Sequence, residues 1–428
     1  MPETLSGEAL LATWRLLATG AAAGARVGLS GLRLVGRAEA CRALDERLAL
    51  DLPGKLPPGA LWLHGASVGE IRSMGRLADA LADDGPLLLT STTRSGRAAA
   101  EQGGHRARLG PWDAPGPLRR FLDAIRPRLH LVVETELWPL RLEALHQRSI
   151  PAMLVAARLS PERWKQYWRW RALYRRVLGR FERIFPASEE DRRRLLDLGV
   201  AGERLGPTGQ LKWDAAPAPP PPGGAASVAT LLGVDGGRPW IVLGSVHPGE
   251  CAALAGGLDR LEADGSAVGI LVAPRHPRRF DAVAAEIEAI APAGGLARLS
   301  AGVPPRKARW VLVDRLGLLP RLYPLARACF VGGTLVPVGG HSPLEAAAAG
   351  CPQVVGPYDS HQRVLTEPLE QAGALVRAAD GDAVVRALER WIRDDAARRQ
   401  ASGAAQRVVA EQRGFSATVL QAIGERLR

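Results

Sequence analysis

A chain of 428 residues exceeds what one hydrophobic core commonly organises, so two α/β domains are the default expectation. Hydrophobic residues make up 46% and charged residues 23%, which excludes a disordered or fibrous chain. Lys and Arg number 56 against 44 Asp and Glu; the formal charge of +12 suits nucleic acid, an anionic membrane face or phosphorylated substrates, and equally the arginine bias of a GC-rich genome.

In chain order, residues 9–34 are the most apolar stretch, but Arg15, Arg26 and Arg33 interrupt it. No run of about 20 apolar residues exists to form a transmembrane helix. With Leu10, Leu11, Trp14, Leu16, Leu17, Val27 and Leu29 beside the arginines, the segment predicts a helix lying in a membrane interface or an amphipathic helix packed on the first domain. Residues 1–40 are therefore expected to be a membrane-associated helical segment, without a signal-peptide cleavage pattern. From residue 60 one phrase repeats: an apolar run, a loop of small polar residues, an amphipathic helix. Strands are predicted at 60–64, 86–89 and 129–133, and a helix follows the first with Ile71, Met74, Leu77, Ala78 and Leu81 at helical spacing. Strands alternating with helices imply a parallel sheet covered on both faces. Residues 158–183 then carry nine Arg or Lys against two Glu, interleaved with Trp164, Tyr167, Trp168, Trp170 and Tyr174. This composition suits an anionic lipid surface or acceptor phosphates, a core-packed amphipathic helix or, least, nucleic acid.

Residues 215–226 read AAPAPPPPGGAA, a semi-rigid spacer that neither continues a helix nor joins a sheet. After it the phrase resumes, with strands predicted at 240–243, 269–272, 310–313, 329–331 and 353–355. The expected organisation is a first domain at 41–214, a linker at 215–226 and a second domain at 227–428. Both domains should be doubly wound and Rossmann-like, with a cleft at the carboxyl ends of their strands. Cys41, Cys251, Cys329 and Cys351 are widely spaced and read as small buried residues in a reducing compartment. The eight histidines show no metal-ligand spacing, so neither metal nor cofactor is expected.

The loops after the strands carry the chemistry. The first half offers HGASVGE (64–70), TSTTRSG (90–96), ETELWP (134–139), ARLS (157–160) and GQLKWD (209–214); the second offers GSVHPGE (244–250), PRHPRR (274–279), DRLGLL (314–319) and GGTLVPVGGHSPLE (332–345). Glu70 closes a loop of small residues that lets a substrate approach; by itself it reads first as a first-turn acid favoured by the helix dipole, and only inside this motif as catalytic. Pro139 argues against Glu134 and Glu136 sharing a strand face, so one is expected to contact substrate or support Glu70 and the other to cap the next helix. Arg275 and His276 follow an apolar strand, where a guanidinium matches oxyanions with a bidentate fork. The glycines at 332–333 and 339–340 predict backbone N–H groups approaching a phosphate.

In order and spacing these loops resemble the motifs of the Kdo (3-deoxy-manno-octulosonic acid) transferases, from about residue 45 to 365. The resemblance implies an α/β fold of GT-B type with an interdomain cleft, often with a last helix, about 404–427 in this chain, crossing back onto the first domain. It implies inverting transfer of Kdo from CMP-Kdo to a lipid A precursor in lipopolysaccharide biosynthesis, at the cytoplasmic face of the bacterial inner membrane, on an anionic membrane surface and without nucleic acid. Glu70 corresponds to the catalytic base, supported by Glu134. Ser67, Gly69, Thr92, Glu136 and Arg158 fall on the acceptor side. Lys212, His247, Arg275, His276, Gly332, Gly333, Gly340, His341 and Glu345 fall on the donor side, Glu345 on the ribose hydroxyls.

Departures cluster in the second half. The family usually has threonine at Val246, acidic residues at Cys251 and Leu318, and asparagine at Ser342 and within 358–362, the segment that begins at Tyr358. Another nucleotide-sugar donor, or a non-catalytic envelope-assembly paralogue of the same fold, therefore stands beside the leading expectation.

Overall fold

A computed structural model describes residues 6–52, 59–218, 229, 238–263, 266–291, 295–302 and 308–428. The chain divides into two units, Met1–Ala215 with Gly414–Arg428, and Ala216–Arg413. In the first unit β1 (Leu61–Gly65), β2 (Leu87–Ser91), β3 (Ala107–Leu109), β4 (Leu129–Val133), β5 (Ala152–Ala157) and β6 (Arg183–Pro186) form a parallel sheet in the order β3-β2-β1-β4-β5-β6. The winding reverses between β1 and β4, and sheets of this kind bind ligands at the carboxyl ends of the strands around that point.

The strand sequences explain this sheet. Leu61, Leu63, Leu129 and Leu131 face one side, against Ile71, Met74, Leu77 and Phe415. Trp62, Leu88, Val132 and Leu154 face the other, against Phe121, Leu122 and Leu140. A parallel strand buried on both faces reads as a continuous apolar run, as 87–89 and 131–133 do. Each fully buried Leu or Phe contributes roughly 1.5–3 kcal/mol.

The second unit contains β7 (Trp240–Val246), a short antiparallel hairpin of β8 (Glu262–Ala263) and β9 (Ser266–Ala267), then β10 (Gly269–Pro274), β11 (Leu296–Arg298), β12 (Trp310–Leu312), β13 (Ala328–Val331), β14 (Gln353–Val355) and β15 (Leu375–Arg377). Its main sheet is parallel in the order β11-β12-β10-β7-β13-β14-β15, with the reversal at β7. Strands β4 and β14 coincide with the expected 129–133 and 353–355, whereas the short strands β3, β11 and β15 carry too few apolar residues to stand out.

The helix Gly7–Leu34 is capped by the Ser6 hydroxyl and serves two surfaces. Leu10 and Leu11 join the first unit's core, and Leu29 packs with Cys41 and Leu48. Trp14 donates its indole N–H to Asp113 at 2.8 Å. Leu16, Leu17 and Val27 are 75%, 66% and 75% exposed. Among the described residues no helix is long and apolar enough to cross a membrane. The basic stretch becomes helices Pro161–Arg169 and Arg171–Leu178. Tyr167 is buried and stacked on Tyr174, while Trp168 and Trp170 are exposed, so the stretch contributes both core and surface aromatics. All four cysteines are buried free thiols.

Two expectations change. Residues 219–226 of the proline-rich spacer lie outside the described residues, and the division falls between Ala215 and Ala216. A second domain running to residue 428 is corrected, because Gly414–Arg428 belong to the first unit. The single helix expected over 404–427 is two, Asp395–Gln412 and Phe415–Leu427, interrupted at Gly414, whose φ of 98° suits glycine. Asp214 holds the returning chain by accepting the N–H groups of Gly414 at 2.7 Å and Ser416 at 2.6 Å. Gly209 leaves room for Phe415, whose ring lies 2.2 Å from where a Cβ would sit. Asp214→Ala should therefore lower stability by about 0.5–2 kcal/mol, as loss of a helix cap does, and hydrogen exchange should show the final helix opening first.

Candidate active site

Helix Val68–Ser73 begins where β1 ends, and Glu70 lies in its first turn. The Ser67 hydroxyl caps the helix and donates to Glu70 Oε1 at 3.0 Å, while the Ala66 N–H donates to Oε2 at 2.5 Å. This is a capping-box arrangement shifted by one backbone N–H. Glu70 is thus a first-turn acid, yet its surroundings also tune it. Burial first, then the Glu134 charge, push its carboxyl up to about 7, against the hydrogen bonds from Ala66 and Ser67. Gly69 is exposed in the same turn, leaving the approach open.

Glu134 follows β4 with φ at 58°, a left-handed turn that diverts the chain before Glu136. Its N–H donates to Val155 O at 2.8 Å, and its carboxylate pairs with Lys212 at 3.1 Å. Lys212, expected on the donor side, therefore sits in the first unit on Glu134. Neither glutamate caps helix Pro139–His146, as was expected of one. Asp113 does, accepting from the N–H groups of Leu140 at 3.1 Å and Arg141 at 2.7 Å. Arg158 is fixed through its backbone, its N–H donating to Thr135 Oγ1 at 2.8 Å.

Glu136 accepts from Thr92 Oγ1 at 2.8 Å and lies 2.5 Å from His64 Nε2. Burial would raise this carboxyl, but the contacts with His64 and Thr92 and the Arg141 charge bring it down to about 2. Burial and the Arg141 charge lower His64 to about 4, so the imidazole is neutral at neutral pH and holds Glu136 by hydrogen bonding. The Glu134 and Glu136 charges both act on Glu70, so the three glutamates form one electrostatic set.

In the second unit Glu250, fully buried, accepts from the N–H groups of His247 and Gly333 at 2.8 Å and of Thr334 and Leu335 at 3.0 Å. Three further loop amides are taken: Gly332 N–H by Gly244 O, Gly340 N–H by Gly333 O and His341 N–H by Gly332 O. Of the four glycines expected to offer backbone N–H groups to a phosphate, Gly332, Gly333 and Gly340 therefore have their amides bonded within the protein. Glycine is required there for close packing instead, since a Cβ on Gly332 would lie 2.7 Å from the backbone of β7.

His247 Nε2 lies 2.9 Å from His341 Nε2, and Arg279 donates to His247 Nδ1 at 2.9 Å. Arginine only donates, so His247 carries its proton on Nε2 and gives it to His341. Burial, then the Arg275 charge, lower His341 to about 4. Arg275 and His276 are exposed beyond β10. Glu345 is raised by burial, which the Arg275 charge partly offsets. Of the departures, Val246 and Cys251 are fully buried core residues, and Leu318 precedes a short helix without a side-chain capping hydrogen bond. Ser342 Oγ accepts from Leu344 N–H at 3.4 Å and Tyr358 is 47% exposed. Beside Tyr358, Asp359 is fully buried and ion-paired to Arg377.

A family model described as 3-deoxy-D-manno-octulosonic-acid transferase (kdotransferase) matches residues 42–215. The chain is 34% identical over 376 residues to the 3-deoxy-D-manno-octulosonic acid transferase of Bordetella pertussis, covering 85% of this chain and 86% of that protein. It belongs to the Kdo transferase family. The enzyme of that name from Haemophilus influenzae is 29% identical over 367 residues, covering 84% and 85%. Among solved structures, a glycosyltransferase of Rickettsia africae shares the fold with a TM-score of 0.57 at 11% identity, over 87% of this chain and 99% of that one. The chain is accordingly a glycosyltransferase of GT-B type.

Sequence reasoning missed His64, Arg279 and Glu250, although each lies inside a quoted loop motif. It also missed Asp113 and Arg141, which stand in no motif.

Glu70 has a consequence for folding. An unfolded glutamate titrates near 4.5, the folded one near 7. Between these values the folded state keeps a proton that the unfolded state has lost, so stability falls as pH rises through that window. Glu70→Gln should gain on the order of 1–2 kcal/mol over the parent at pH 8, after allowance for partial exposure, and nothing at pH 4. Denaturant midpoints at the two pH values measure it.

Proposed function

We propose that this protein transfers 3-deoxy-D-manno-octulosonic acid from a CMP-activated donor to a hydroxyl of a lipid A precursor, with inversion, at the cytoplasmic face of the inner membrane. The observation that carries the reading is Glu70. An alcohol is a poor nucleophile at neutral pH, and a carboxyl near pH 7 is suited to take its proton. As that proton passes to Glu70, the alcohol oxygen bonds to the anomeric carbon. The anomeric C–O bond to phosphate breaks with its electron pair, and CMP leaves. Glu136, ionised by its hydrogen bonds, accepts from a second acceptor hydroxyl. Lys212 offsets the Glu134 charge and keeps the glutamates from repelling an anionic acceptor.

On the donor side the amides of Gly332, Gly333 and Gly340 are already taken, so charged side chains are the groups assigned to the phosphate and the sugar carboxylate. Arg275 and His276 are exposed to do so, with Glu345 on the ribose hydroxyls. A donor with another nucleobase is the second reading, favoured by Leu318, an apolar side chain at a position usually acidic in the family. Thermal shifts with cytidine against uridine nucleotides separate the two readings, because a ligand of the native state raises apparent stability.

Glu70→Gln should lower turnover by roughly 100- to 10,000-fold, the usual contribution of a general base, with the donor KM unchanged. In the parent, turnover should rise with pH through about 7, and Glu134→Gln should move that rise to lower pH by removing a charge that raises Glu70. Near-normal turnover of Glu70→Gln in a working transfer assay would overturn the assignment.

Membrane contact is assigned to Leu16, Leu17 and Val27 with the exposed Arg15 and Arg26, aided by Trp168 and Trp170. Liposomes containing anionic phospholipid should sediment the protein, less so as salt rises. Salt-independent binding, equal on neutral vesicles, would remove the electrostatic part.

A further inference from the structure

We propose that His64 is a positioning residue for the acceptor: it holds the Glu136 carboxylate in one orientation beside Glu70, through a hydrogen-bond chain that starts at the buried Trp62 indole. The inference rests on the reading of Glu136 as an acceptor ligand.

The chain follows from strand register. Residues i and i+2 of β1 share a face, so Trp62 and His64 point the same way. Parallel pairing sets His64 beside Thr90 of β2, and Trp62 beside His130 of β4. The Trp62 and His130 rings stack at 3.8 Å. All four residues are fully buried, which places a polar row inside an otherwise apolar layer. Such a row costs stability where a polar atom is left without a partner, as His130 Nε2 is, while Trp62, Thr90 and His64 are hydrogen-bonded.

Each hydrogen bond in the row has a forced direction. An indole N–H only donates, so Trp62 Nε1 gives its proton to Thr90 Oγ1 at 2.7 Å. An ionised carboxylate only accepts, so Glu136 Oε2 takes the proton of His64 Nε2. A neutral imidazole has one N–H, which leaves a lone pair on Nδ1, 2.7 Å from Thr90 Oγ1. The Thr90 hydroxyl therefore donates to His64. Trp62, Thr90, His64 and Glu136 thus form a one-way series with a single imidazole tautomer. Thr92 completes the clamp, its hydroxyl 2.8 Å from both Glu136 oxygens.

Arg141 explains why the series does not reverse. Its guanidinium is 2% exposed and lies 5.2 Å above the Trp62 ring. Its charge opposes a second proton on His64 and favours the anionic form of Glu136. A histidine serving only as core filling would need neither a carboxylate at the sheet end nor a cation whose charge helps keep it neutral.

The test uses the full-length protein with a lipid A precursor and CMP-activated Kdo. His64→Leu keeps bulk and removes both hydrogen bonds. Losing a charge-assisted contact should raise the acceptor KM by about ten- to a hundredfold and leave the donor KM unchanged. His64→Gln supplies an N–H to Glu136 and an oxygen to Thr90, and should recover most of the loss. A folded His64→Leu with the parent's acceptor KM, or a His64→Gln no better than His64→Leu, overturns the proposal. If His64→Leu does not fold, Thr90→Val breaks the series one link earlier at nearly constant volume; an unchanged acceptor KM in that variant also overturns it. Glu136→Gln separates the two levels. If it leaves the acceptor KM unaltered, the reading of Glu136 fails and the proposal with it. If it raises the acceptor KM while His64→Leu does not, the positioning role alone fails.

Discussion

A loop leaving the end of a buried parallel strand carries backbone N–H groups that water cannot reach, and each must find an acceptor. In this protein side-chain carboxylates take them. Asp113 holds the start of helix Pro139–His146, Asp191 accepts Leu159 N–H at 2.7 Å, Asp214 holds the returning C-terminal chain, and Glu250 gathers the glycine-rich loop. Glu70 belongs to the same set through Ala66. Buried polar groups of this kind are favourable only when fully satisfied, so one acidic side chain fixes the course of several residues.

The same device becomes chemistry where satisfaction is partial. Glu250 is enclosed, with its hydrogen bonds spread over four N–H groups, and acts only as a brace. Glu70 and Glu136 keep some access to solvent and lie in environments that drive them apart, one up to about 7 and the other down to about 2. Two identical carboxyl groups then suit opposite tasks, one taking a proton and the other staying charged. Desolvation and a neighbouring anion raise the first; hydrogen bonds from His64 and Thr92 lower the second.

The family's usual polar residues at Val246 and Cys251 have been replaced in a core that closes over β7, where both pack fully buried. Their effect falls on packing, not on a ligand. Leu318 and Tyr358 differ from these because they keep access to solvent in the loops after β12 and β14.

The sequence alone determined the alternation of strand and helix, the loops that carry the chemistry and the family they resemble. These are local properties: apolar runs, small-residue turns and motif spacing can all be read along the chain. It could not determine which acid caps which helix, because Asp113 and Leu140 meet only after the intervening strand and helix have folded. It assigned the loop glycines to a phosphate, since nothing local announces that Glu250 already holds the Gly333, Thr334 and Leu335 amides across 83 to 85 residues. It left His64 unremarked because a histidine inside LWLHG looks like any strand residue. Register against β2 and β4 sets it between Thr90 and Glu136, and parallel register is fixed by the packed sheet as a whole.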